Sequence, residues 1–182
     1  GRLTQQILYE YLGMNLSYAP RVWHAKSAKK GLQMLADRSY DLVIVMMRIT
    51  DMDPITFGEN VKKDYPDKPI ILLAFDESEI STLPQKRLKK TIDRVYIWTG
   101  NANVFPAIIK NIEDSMNIER DFKIADIRSI VMVEDNPRFY SIILPLIYRT
   151  ALSHTRSLID RSLSDTDRLL LFRARPKIVL AS

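Results

Sequence analysis

The chain of 182 residues contains no cysteine, only five glycines and only two histidines. Without cysteine there is no disulfide and no thiolate metal site, a composition that fits a reducing cytoplasm. Five scattered glycines leave no Gly-rich loop to cradle phosphates, and no Ser/His/Asp arrangement can be placed. The segment is therefore not expected to be an enzyme. Long hydrophobic runs are also absent. The densest apolar stretch, Ile142 to Tyr148, is far below the roughly 20 residues a bilayer requires, so no membrane association is expected. No secretory leader is visible, and the chain opens at Gly1-Arg2-Leu3 as though partway into an element, so a preceding segment is expected.

What is present is 46% hydrophobic composition, enough for a sizeable core, and a net charge of +5. The charge gathers at Lys86, Arg87, Lys89 and Lys90 and at Arg173, Arg175 and Lys177, read here as solvated surface. No helix-turn-helix, zinc-finger spacing or aromatic ribonucleoprotein motif accompanies these clusters, so nucleic-acid partners are not expected.

Hydrophobic periodicity gives an alternating series. Leu3, Ile7, Leu8 and Leu12 mark an amphipathic helix that Gly13 would stop with a left-handed cap. Arg21 to Ala25 reads as a short strand, and Ser27 caps a helix carrying Ala28, Leu32 and Leu35 inward. Asp41 to Met47 and Pro69 to Phe75 are continuous apolar runs of the kind buried on both faces of a parallel sheet. Helices follow at Phe57 to Lys63, Leu83 to Lys90 and Pro106 to Met116, with a strand at Val95 to Trp98. This alternation predicts an α/β fold with a doubly wound parallel sheet. Polar residues 119–126 read as a linker, and Ile127 to Val133 as the opening strand of a second unit. A helix over Pro137 to Phe172 would be about 54 Å long, kinked at Pro145, with Phe139, Ile143, Ile147, Ala151, Leu158, Leu163 and Leu170 as a broken apolar stripe that suits homodimer pairing. Pro176 to Ala181 is a last strand. The expected organisation is thus 1–118, a linker at 119–126, and an unfinished second unit at 127–182.

The run Ser39-Tyr40-Asp41-Leu42-Val43-Ile44-Val45-Met46-Met47-Arg48-Ile49-Thr50-Asp51-Met52-Asp53-Pro54 resembles the third strand and following loop of a response-regulator receiver, a flavodoxin-like fold. The resemblance places the family's phosphoaccepting Asp at Met46, its switch hydroxyl at Leu73, and its lysine at Trp98 or Thr99. A thioether has neither the charge nor the nucleophilicity for phosphoryl transfer. Residues 1–118 are accordingly expected to be a pseudo-receiver, and one that lacks its first strand. Ile130-Val131-Met132-Val133-Glu134-Asp135-Asn136-Pro137 resembles the first strand and acidic loop of an unimpaired receiver. That likeness implies a Mg²⁺ site at Glu134 and Asp135, serving an acceptor Asp beyond Ser182. The alternative is that Asp135-Asn136-Pro137 caps the following helix.

Glu134 to Ser141, the long helix, Arg173 to Ala181 and Ile108 to Asn117 together look like the amino-terminal region of bacterial proteins resembling phosphoenolpyruvate synthase. In that family two receiver-like units precede a pyruvate phosphate dikinase-type ATP-binding domain. The implied role is two-component or phosphorelay regulation, with a histidine kinase or a downstream catalytic domain as partner. A competing likeness is Ser153-His154-Thr155-Arg156-Ser157-Leu158, which resembles the histidine box of sensor kinases and would make His154 a phosphohistidine. His24, Trp23 and Trp98 are read as packing residues.

Overall fold

A computed structural model describes residues 2–13, 20–125, 127–159, 164 and 175–181. Its elements run α1 (Arg2–Gly13), α2 (Ala28–Asp37), β1 (Val43–Met46), α3 (Pro54–Asp64), β2 (Ile70–Ala74), α4 (Glu77–Ser81), α5 (Gln85–Thr91), β3 (Arg94–Ile97), α6 (Val104–Ala125), β4 (Ser129–Val133), α7 (Pro137–Ile159) and β5 (Lys177–Ala181). The fold is α/β and, among the described residues, every strand pairing is parallel, as the alternation predicts. Contacts divide the chain into two compact units, Arg21–Asn101, and Gly1–Pro20 with Ala102–Ser182. The sequence-based boundary lay instead at 118 and 127. The expected linker is helical through Ala125, because its polar residues clothe the exposed side of α6 while Asp121 turns inward.

In the Arg21–Asn101 unit the sheet order is β1-β2-β3. Sequence-consecutive parallel neighbours of this kind form one half of a flavodoxin-like sheet, on the far side of its topological switch point. β2 is buried at all five positions, as its unbroken aliphatic sequence demands. Ile70 and Leu72 join Val45, Ala28, Leu35, Ile55, Phe57, Val61, Leu88 and Ile92 in the main core of this unit. Ser27 caps α2 as expected, its hydroxyl accepting from the Lys30 N–H. α3 begins earlier than predicted because Asp53 caps it and Pro54, with no N–H to satisfy, fits the first turn. Gly58 permits a close helix approach, since a Cβ there would come within 2.4 Å of the Thr91 methyl.

Three expectations fail in physical terms. Arg21 to Ala25 is not a strand, and among the described residues no strand lies beyond β1 to pair with it. β1 is shorter than Asp41–Met47 and only Val45 is fully buried, because the strand forms the edge of the sheet. Gly13 ends α1 without a positive φ, and α1 buries Ile7 and Tyr11 while Leu8 and Leu12 stay exposed.

The other unit pairs β4 with β5, joined through α7, with β5 packed by α6. α7 turns Tyr140, Leu144, Tyr148 and Leu152 inward at i, i+4 spacing. That stripe is one residue out of step with the predicted one, so Phe139 remains 53% exposed and Ile143 partly exposed. The helix continues through Pro145 and is described to Ile159; Leu163 and Leu170 lie outside the described residues.

The basic cluster at the end of the chain is not solvated as expected, because Arg175 and Lys177 are buried; Arg173 lies outside the described residues. Fully buried Asp114 accepts from Arg175 Nη2 at 2.6 Å and Nη1 at 3.0 Å, from the Tyr148 hydroxyl at 2.9 Å and from the Ile178 N–H at 3.1 Å. Four donors match the acceptor capacity of a carboxylate. Asn111 donates to the Ile178 carbonyl at 3.1 Å, and Lys177 pairs with Asp121 at 2.8 Å. Asn111, Asp114 and Asp121 share one face of α6, so these bonds fasten α6 to α7 and β5. Burial works against the Arg175 charge, but Asp114 outweighs it and holds the guanidinium above its ordinary pKa. Burial and the Asp114 charge push the Tyr148 hydroxyl up, so it stays a donor at neutral pH. Removing one partner of such a pair strands the other charge in the interior. Asp114→Asn should therefore cost about 3–5 kcal/mol in urea denaturation, whereas Glu119→Gln, on the exposed side of α6, should leave the midpoint within error.

Candidate functional site

Open parallel sheets offer their ligand sites at the carboxyl ends of the strands. In the Arg21–Asn101 unit that end is defined by register: Met46 lies beside Leu73, Leu73 beside Tyr96, and Ala74 beside Ile97. Met46 is the last residue of β1 and half-buried, while Leu73 is 0% exposed. Trp98 follows β3 and donates its backbone N–H to the Ala74 carbonyl at 2.8 Å. Its ring stacks on Phe75 with centroids 6.0 Å apart. Thr99 is exposed, next to Gly100, whose φ of 94° only glycine adopts without strain. The structure thus brings Met46 and Leu73 side by side and sets Trp98 just past β3, against Phe75.

A polar clamp that the sequence reading missed closes this end. Arg48 lies 5.8 Å from the Phe75 ring centroid and donates from Nε and Nη2 to Glu79 Oε1 at 3.2 and 3.0 Å. Glu79 Oε2 accepts from the Phe75 N–H at 2.9 Å. Phe75, Trp98, Arg48 and Glu79 therefore form one aromatic, guanidinium and carboxylate stack. Its only sequence signal is a Glu in the first turn of α4, a place that favours a carboxylate on helix-dipole grounds alone.

The carboxylates of the loop after β1 are engaged as helix caps. Asp51 accepts from the Ala28 and Lys29 N–H groups at 2.8 and 3.0 Å. Asp53 accepts from the Ile55 and Thr56 N–H groups at 3.1 and 2.9 Å. The Lys29 and then the Ala28 bond hold the Asp51 carboxyl below the ordinary carboxylate range, and bonds from Thr56 do the same for Asp53. Among the described residues no three His, Asp or Glu side chains gather so that they could hold a metal ion.

In the other unit Glu134 and Asp135 follow the carboxyl end of β4. Glu134 is half-buried and its Oε1 accepts from the Asn136 N–H at 2.9 Å, while Asp135 is exposed. Asn136 caps α7: its side chain accepts from the Arg138 N–H at 2.8 Å and its carbonyl from the Phe139 and Tyr140 N–H groups. The acidic loop thus has capping geometry and keeps one exposed carboxylate. His154 is exposed on α7, and His24 and Trp23 are exposed too, with Arg38 4.4 Å from the Trp23 ring centroid.

No protein-family model matches the chain, and no curated protein matches it. Among solved structures it is similar to the signal receiver domain of an HD domain-containing protein from Pseudomonas fluorescens Pf-5. The two share 23% identity at a TM-score of 0.48, over 62% of this chain and 89% of that one. No helix among the described residues is long and apolar enough to cross a membrane.

The caps set an acid dependence. Asp51 and Asp53 have folded pKa values below the unfolded value of about 3.9, so the folded state binds fewer protons around that pH. Their contribution is complete above the unfolded pKa and is lost as pH falls through the lower folded values. Asp53→Ala should cost about 1 kcal/mol at neutral pH. Asp51→Asn should flatten the fall of the thermal midpoint below about pH 4, read by circular dichroism across a pH series.

Proposed function

We propose that this chain is a non-catalytic regulatory segment of receiver type whose first unit cannot carry phosphate on an aspartate. The observation that carries the reading is Met46 beside Leu73 at the carboxyl end of the β1-β2-β3 sheet, with Trp98 just past β3 stacked on Phe75. A receiver forms its acyl phosphate by attack of a carboxylate on a phosphodonor, with a cation offsetting the charge that builds up. At this end of the sheet the strand terminus is a thioether and the loop carboxylates already accept backbone N–H bonds. The unit is then a pseudo-receiver that works through its surfaces.

The second unit is the start of an intact receiver. Adjacent parallel strands joined through α7, with Glu134 and Asp135 at the end of β4, support that reading. These two carboxylates form the acidic half of a Mg²⁺ site that an acceptor Asp beyond Ser182 completes. The partners are a histidine kinase or a catalytic domain of the phosphoenolpyruvate synthase and pyruvate phosphate dikinase type, in the cytoplasm. The exposed face of α7, with Phe139, Ile142, Ile143 and Leu146, supports homodimer formation. A second reading, phosphotransfer through His154, draws on the exposure of that imidazole.

Incubation with acetyl phosphate and Mg²⁺, followed by intact-mass analysis, tests the proposal. The chain should remain unlabelled and bind Mg²⁺ no tighter than about millimolar, since the ion dehydrates reluctantly and lacks its third carboxylate. Label confined to 21–101 would overturn the proposal, and label lost in His154→Ala would replace it with phosphotransfer. In protein extended past Ser182, Asp135→Ala should abolish labelling and Met46→Leu should leave it intact.

A further inference from the structure

Residues 21–38 carry five Lys and Arg, namely Arg21, Lys26, Lys29, Lys30 and Arg38, against one carboxylate, Asp37. All five cations are exposed. Among the described residues none of them makes an ion pair, whereas Arg48, Lys62 and Arg87 of the same unit are paired with Glu79, Asp93 and Glu59. Asp51, which its bonds bring beside the start of α2, has both oxygens engaged by the Ala28 and Lys29 N–H groups. The same segment carries Trp23, 52% exposed, with the Arg38 guanidinium 4.4 Å from its ring centroid. Arg38 follows the last residue of α2, Ala25 lies beside Gly31 midway, and Ser27 caps the first turn, so residues 23–27 run antiparallel along the helix. The cations are thus spread along the roughly 15 Å of α2, with Lys26, Lys29 and Lys30 toward its start and Arg38 with Trp23 at its end. No nucleic-acid motif marks these residues in the sequence; the surface exists because the chain doubles back along α2.

We infer that this surface binds single-stranded nucleic acid, with one base stacked on Trp23 beside Arg38 and the backbone phosphates tracking along Lys26 and Lys29. A row of cations attracts any polyanion, and Trp23 decides which one. The face of an indole ring is negative and gives a carboxylate side chain no favourable contact. A nucleobase stacks on the same ring with a gain of about 1–3 kcal/mol, whatever its sequence. The ring therefore favours a nucleic acid over an acidic peptide. A duplex keeps its base faces stacked on one another, so the ring also selects a single strand. The length of the row matches a strand of several phosphates, since one nucleotide could not reach both ends of α2. The lysines of α5, Lys86, Lys89 and Lys90, have no aromatic residue among them and serve as an internal control. The inference is independent of any phosphoryl chemistry at the strand ends.

The test is fluorescence anisotropy of the whole chain with a labelled oligothymidylate of about twelve nucleotides, within the usual single-strand site size, across a salt series. Binding should be saturable at low salt. Trp23→Ala should weaken it at least about fivefold, the loss of one stacked base. Lys26→Gln with Lys29→Gln should reduce the steepness of log Kd against log salt by about 1.4, since each phosphate contact on a single strand contributes about 0.7. Lys89→Gln with Lys90→Gln removes the same charge from α5 and should leave that steepness unchanged. All of these side chains are exposed, and far-UV circular dichroism of each variant checks that its fold is retained. Should Trp23→Ala not fold, the two lysine pairs and a comparison with polyglutamate decide. Absence of binding at low salt would overturn the inference. An equal loss in the α5 pair would also overturn it, reducing the effect to net charge. Polyglutamate binding as tightly as the oligonucleotide would make the surface a dock for acidic protein instead.

Discussion

A parallel strand cannot satisfy its backbone by folding back on itself, and each one depends on neighbours brought from far along the chain. In this protein that dependence rests on β2. Ile70 to Ala74 is buried at every position and holds β1 on one side and β3 on the other, so it fixes the register of both. The geometry of the carboxyl end follows from that register. Met46 and Leu73 come together because the strands on which they ride are aligned, and the Phe75 stack forms because Phe75 directly follows β2 and Trp98 directly follows β3. The free edge of β1 is the complementary consequence, since a strand with one neighbour leaves half of its backbone groups unpaired by the sheet.

The second unit depends on electrostatics more than on sheet pairing. Two strands do not make an independently stable sheet in water. Asp114 links α6, α7 and β5 through four accepted hydrogen bonds, and Lys177 with Asp121 extends the link about two turns further along α6. A buried ion pair adds little over a well-packed apolar substitute, but once present it penalises every arrangement that separates its members. It therefore specifies how these elements meet. The exposed aliphatic face of α7 and the exposed residues Ile130, Val131 and Val133 of β4 complete a unit whose apolar surface is only partly covered.

How much of this was legible in the sequence depended on whether the deciding interaction was local. The unbroken apolar run at Pro69 to Phe75 fixes β2, and Ser27 marks a helix start through its own side chain, a signal that Asp53 also carried and that the reading of the α3 start at Phe57 overlooked. Arg21 to Ala25 has strand composition, but a strand exists only if another pairs with it, and residue type does not carry that information. Residues 119–126 look like a linker because an exposed polar helix and a linker share a composition. Asp121, Arg175 and Lys177 look solvated for the same reason, as their partners lie tens of residues away. The stripe on α7 was displaced by one residue because Tyr140 and Tyr148, amphipathic side chains, take the inward positions that a count of aliphatic residues assigns elsewhere. At the candidate site the apolar residues at the strand ends were legible, since each is named by its place in a strand. The Arg48 and Glu79 clamp was not, because it spans a crossover.

The central claim is that the carboxyl end of the β1-β2-β3 sheet offers no carboxylate chemistry to a phosphoryl group. Its most direct test is a titration with beryllofluoride and Mg²⁺, a phosphoryl mimic that bonds to a carboxylate oxygen, followed through the backbone amide resonances of Met46, Leu73, Trp98 and Thr99. The account predicts that these four resonances stay in place throughout the titration. Saturable shifts at Met46 and Leu73 that require both beryllofluoride and Mg²⁺ would contradict it.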